Sequence, residues 1–125
     1  MVKFFAVGLG GAIGSIARYC IAVLAQKAGS LHFPLSTFFV NIAGSLMIGF
    51  CWSYFERVHI SHEFRLFIFT GFLGGFTTFS TFTREAAQFF KAGEPFHAIS
   101  YLVFSNVIGL AAVLFGFSLS LYLSR

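Results

Sequence analysis

The chain has 125 residues, of which 58% are hydrophobic, 20% aromatic and only 10% charged. A soluble domain carries about a quarter charged residues, so this composition points to lipid as the main solvent. The formal net charge is +4, yet the cations are scattered over both ends of the apolar stretches, with no basic groove interleaved with aromatics. Nucleic acid is therefore not an expected partner.

Four stretches reach or approach the ~20 residues that cross a bilayer. The pattern predicts an all-α integral membrane protein whose residues 1–125 form one four-helix transmembrane domain. Its spans fall at about 4–26, 34–55, 65–91 and 97–123, with a break in the third near 74–78. The connections are too short to hold an extramembrane domain.

The first span opens with Lys3 and runs to small residues near Ala25, which superficially resembles a secretory signal. Arg18 inside the run, and three further spans, argue against that reading. Gly10 and Gly14 sit four residues apart, as do Ser45 and Gly49, Gly71 and Gly75, Ser105 and Gly109, and Ala112 and Gly116. Such pairs permit close helix contact, within a subunit or between subunits. Cys20 and Cys51 are expected to be buried thiols. His32, His59, His62 and His97 fall in connections or at span ends, make no zinc pattern, and are expected to be interfacial surface residues.

With four spans, Lys3, Arg57, Arg65 and Arg125 share one side of the membrane. Lys27 and Lys91 share the other, joined by Arg18 and Arg84 if these snorkel. Topology follows the Lys and Arg bias of short loops, and this even count gives no instruction. Both orientations are expected. One subunit has too few helices to enclose a pore, so an oligomer is the natural inference.

The third span carries the most informative stretch, Gly71 to Thr83. Two adjacent glycines, Gly74 and Gly75, precede a run of hydroxyl and β-branched residues, which weakens helix propensity in mid-span. Backbone groups released there must be buried in protein, line a cavity or coordinate an ion. Carbonyls doubled across a symmetric interface would suit an alkali cation. Phe76, Phe79 and Phe82 recur every three residues on one helical stripe. They either pack, or turn their electropositive ring edges to an anion.

Other intramembrane polar groups are Arg18, Asn41, Arg84, Glu85, Tyr101, Ser105 and Asn106. Polar groups at that depth are costly and mark function by default. Asn41 and Ser105 offer neutral donors that an anion could use in place of water. Arg84 and Glu85 could alternatively form an interfacial ion pair, and the amides could be interhelical hydrogen bonds. No nucleophile elbow, phosphate loop or paired acid and base is visible, so enzyme activity is not expected. A small multidrug exporter would need a membrane-embedded carboxylate, and the first span has Arg18 and no acid. A non-transporting scaffold would leave the third-span cluster unexplained.

The string from Gly74 to Phe82, together with Val40 and Asn41, Gly10 and Gly11, and Arg18, resembles the Fluc family of bacterial fluoride channels. The resemblance covers the whole chain. It implies an antiparallel, dual-topology homodimer in the bacterial inner membrane that passively exports cytoplasmic fluoride through two pores. The implied partners are fluoride, sodium, membrane lipid and a second copy of the chain. Position by position, Phe79 and Phe82 are similar to the aromatic pair lining the fluoride path, and Asn41 to the conducting amide of the second span. Gly74 and Thr77 resemble the residues whose backbone carbonyls hold a structural sodium ion at the dimer centre. Arg18 resembles an arginine near a pore mouth, and Glu85 an acidic residue along the pore. Tyr101 and Ser105 resemble fourth-span pore residues, with Ser80 and Thr81 as further hydroxyl candidates. Phe76 stands where the family commonly has leucine.

Overall fold

The computed structural model describes residues 1–29 and 32–125, and every described element is helical. They run α1 (Val2–Ala28), α2 (Leu35–Phe55), α3 (His62–Arg65), a π-helical segment (Leu66–Leu73), α4 (Gly74–Phe76), α5 (Phe79–Lys91) and α6 (Pro95–Leu123). Four of these stretches are long and apolar enough to cross a bilayer: α1, α2, the composite His62–Lys91, and α6. That is the architecture of a multi-pass membrane protein.

Local chemistry accounts for several ends. Ser61 caps α3 by accepting the Phe64 N–H at 3.2 Å. After α5 the chain turns through Gly93, whose φ of 75° lies in the left-handed region. The Glu94 N–H then reaches back to the Phe89 carbonyl and the Gly93 N–H to that of Phe90. Pro95 opens α6, where its missing N–H costs nothing.

Two helix pairs organise the bundle: α2 packs along α6, and α1 along the π-helical segment and α4. Glycine makes both contacts possible. A Cβ on Gly71 would lie 2.8 Å from the Val7 carbonyl oxygen, and one on Gly75 would lie 2.6 Å from that of Gly11. On the other pair, a Cβ on Gly116 would sit 2.7 Å from the Phe50 amide nitrogen. Backbones this close gain dispersion contacts that lipid cannot replace. The small-residue pairs Gly10 and Gly14, and Gly71 and Gly75, thus serve packing within the subunit.

A small core of Phe82, Phe89, Ala98 and Tyr101 joins α5 to α6. Outside it, Phe4, Phe5, Ile16, Val107, Leu110 and Phe115 stand exposed. An apolar surface of this extent requires lipid or another subunit against it. At the span ends, Arg57 donates to the Ser53 carbonyl and the Ser120 hydroxyl, and Arg65 to the Phe55 carbonyl.

Three expectations need correction. Neither cysteine is a buried thiol, because Cys20 is exposed and Cys51 half-buried. The aromatic residues 76, 79 and 82 do not form one helical stripe, because Thr77 and Thr78 are extended and reset the helical phase. Phe76 is buried and stacks on Phe72, with centroids 5.6 Å apart, whereas Phe79 is exposed. The histidines His32 and His97 are surface residues as expected, but the expectation that the histidines make no metal-type grouping needs correction. His32 and His97 converge on Glu94, at 2.6 Å and 3.6 Å from its Oε2. The first and third connections lie at the same end of the bundle, as four spans require, and it is the contact between their residues that the sequence does not show.

Candidate ion pathway

Helical conformation lapses only briefly within the third span, and the neighbouring side chains take over the backbone bonds. Thr77 has φ −85° and ψ 159°, and Thr78 φ −150° and ψ 121°. The Thr78 N–H would otherwise bond the Gly74 carbonyl four residues back. It donates instead to Asn41 Oδ1 at 2.8 Å, and Asn41 Nδ2 donates to the Thr78 carbonyl at 3.0 Å. The Thr81 N–H, the ordinary helical donor to the Thr77 carbonyl, turns to the Thr78 hydroxyl at 3.3 Å. The carbonyls of Gly74 and Thr77 therefore both lose their helical donors. Gly74 is exposed, and a Cβ there would find nothing closer than 3.8 Å.

Two recesses meet at Thr78. The first is an open groove of about 510 Å³ lined by Asn41, Thr77, Phe79, Phe82, Ser105 and Asn106, among others. Ser105 Oγ is buried and has no hydrogen-bond partner among the described residues. An unpaired buried hydroxyl costs about 1–3 kcal/mol, so it is a feature that calls for an occupant of the groove. Asn41 spends one of its two amide hydrogens on Thr78, and the rings of Phe79 and Phe82 stand 6.1 Å apart at 53°. Asn106 donates back to the Leu102 carbonyl at 2.7 Å.

The second recess, of about 430 Å³, is lined by Arg18, Thr37, Thr78, Thr81, Arg84 and Glu85, among others. The Thr37 hydroxyl donates to Glu85 Oε1 at 2.7 Å, and the Tyr101 hydroxyl to Glu85 Oε2 at 2.7 Å. Glu85 does not pair with Arg84 among the described residues, because adjacent helical positions face apart. This corrects the ion-pair alternative. Tyr101 is fully buried and meets Phe82 edge-on, centroids 5.0 Å apart. Phe82, Tyr101 and Glu85 thus form a continuous chain of contacts between the groove and the recess.

Of the residues singled out from sequence, Asn41, Thr77, Phe79, Phe82 and Ser105 gather on the groove, and Arg18, Thr81 and Glu85 on the recess. Ser80 is exposed and lines neither. Thr37 was not anticipated. Its signal is the four-residue spacing of Thr37, Asn41 and Ser45, which puts three polar groups on one face of α2.

The CrcB-like protein family, described as Camphor Resistance (CrcB), matches residues 5–117. A protein of Desulfotalea psychrophila named fluoride-specific ion channel FluC is 56% identical over 120 residues, which cover 96% of this chain and 93% of the relative. Proteins of the same name from Parabacteroides distasonis and Phocaeicola vulgatus are 41% and 38% identical. The first of these alignments covers 93% of this chain and 91% of the relative, and the second 96% and 99%.

Proposed function

Because the chain belongs to the CrcB family, and near full-length relatives bear the name fluoride-specific ion channel, we propose that it is a passive fluoride-selective channel exporting fluoride across the bacterial inner membrane. The observation that carries this reading to the site is Ser105 Oγ, a buried donor without a partner on a groove shared with Asn41, Phe79 and Phe82. Fluoride is small and strongly hydrated, so a path must replace its water with several firm donors that do not hold it permanently. A hydroxyl hydrogen, the free amide hydrogen of Asn41 and aromatic ring edges meet that demand with neutral groups.

The working unit in this reading is an antiparallel homodimer with two pores. Its support is the even distribution of cations, the openness of the groove in one subunit, and the exposed Gly74. From the groove, fluoride passes the Phe82 edge toward Tyr101 and the recess of Thr37, Thr81 and Glu85. Arg18 and Arg84 offset the Glu85 charge there. A cell that is electrically negative inside drives the anion outward without an energy source.

A sodium ion fits the Gly74 and Thr77 carbonyls, because both are released from helical bonding and neutral oxygens suit a hard cation. When bound, it supplies fixed positive charge near the path. These carbonyls from two subunits would hold it at the dimer centre. Proteoliposomes read with a fluoride electrode test the assignment. Phe79→Ile or Phe82→Ile should abolish fluoride efflux while the protein still elutes as a dimer, and unchanged efflux would sink the pathway.

A further inference from the structure

We propose that His32, Glu94 and His97 form a divalent transition-metal site of the zinc type, tying the connection before α2 to the first turn of α6. One donor atom from each residue lies within 4.8 Å of the others. In a tetrahedral zinc site, bonds of about 2.0–2.2 Å put ligand atoms about 3.3 Å apart. The His97 Nδ1 to Glu94 Oε2 distance of 3.6 Å already matches, and the His32 Nε2 contact of 2.6 Å needs to open by less than an ångström.

The rings are held in place before any ion arrives. His97 stacks on Phe89, with centroids 5.9 Å apart at 23°, and His32 meets the same phenylalanine edge-on at 5.6 Å. The two imidazoles stand 5.2 Å apart at 84°, so their nitrogens converge on the carboxylate from different directions. This aromatic floor reduces the ordering cost of binding. Among the described residues, the salt-bridge partners of the Glu94 carboxylate are these two histidines. Two imidazoles and one carboxylate favour zinc, cobalt or nickel over calcium and magnesium, which need mostly oxygen ligands. Three protein ligands at a site that is one-third to two-thirds exposed leave positions for water, so the metal exchanges with solvent.

The cluster shares no residue with the groove or the recess, so its occupancy is measurable independently of fluoride conduction. The test uses the full chain, purified in detergent with a histidine-free tag and stripped by EDTA. Zinc chloride is titrated against a chromophoric chelator, and cobalt chloride by its visible absorption. One zinc per chain is expected. His32→Gln, Glu94→Gln and His97→Gln should each weaken binding at least about tenfold, since even the loss of an outer partner costs about that much. His62→Gln should leave binding unchanged, with all variants matching the wild type in size-exclusion elution. No zinc uptake, wild-type affinity in the three ligand variants, or loss of binding in His62→Gln would overturn the site.

Discussion

Asn41 holds Thr78 by both polar groups of its backbone, accepting its N–H at 2.8 Å and donating to its carbonyl at 3.0 Å. The amide of α2 thereby does for this extended residue what the preceding and following helical turns would have done. Lipid could not, because it offers no donors or acceptors.

Asn41→Leu should leave both Thr78 groups unpaired. Interhelical hydrogen bonds in membranes are worth about 0.6–1.7 kcal/mol each, so the variant should lose about 1–3 kcal/mol. A lowered midpoint of thermal unfolding in detergent checks this.

Glu85 takes a hydroxyl on each oxygen, from Thr37 and Tyr101. Hydrogen bonds to a charged group contribute about 1.5–3 kcal/mol. Tyr101→Phe and Thr37→Val should each destabilise by an amount at or below that range. The double variant should depart from additivity, because both act on one carboxylate. Unfolding of the four proteins of this cycle gives the coupling directly.

Much of this arrangement was legible in the chain. Apolar length and the scarcity of internal charge define four spans, since a bilayer imposes its thickness on any sequence that crosses it. Asn41 and Ser105 stood out for the same reason: a polar group in lipid needs a purpose. The phase of Phe76 relative to Phe79 was not legible, because two extended residues at Thr77 and Thr78 rotate everything after them. The role of Glu85 depended on Tyr101 and Thr37, the latter 48 positions away. Four spans put the connections of His32 and His97 at one end of the bundle, but which of their residues touch depends on side-chain packing around Phe89.

The adjacent glycines should respond differently to the same change. Gly75→Ala places its Cβ 2.6 Å from the Gly11 carbonyl oxygen and 3.0 Å from Ser15 Oγ, so α1 must separate from the third span. Loss of folded protein in detergent is the expected result. Gly74→Ala meets nothing closer than 3.8 Å and should preserve the subunit fold. If two copies meet at Gly74, it should instead weaken the dimer, which cross-linking in liposomes would reveal.

The proposed sodium site at the Gly74 and Thr77 carbonyls has its own test. Replacing sodium throughout with N-methylglucamine, too large for a carbonyl cage, should loosen the dimer or stop fluoride efflux. Indifference of both would remove the ion from the account.

The most direct measurement is anion efflux from liposomes holding the purified protein, under a potassium gradient with valinomycin, comparing fluoride with chloride. Rapid fluoride release with chloride retained is the predicted result. Retention of fluoride by liposomes whose protein is demonstrably folded and dimeric would contradict the channel assignment.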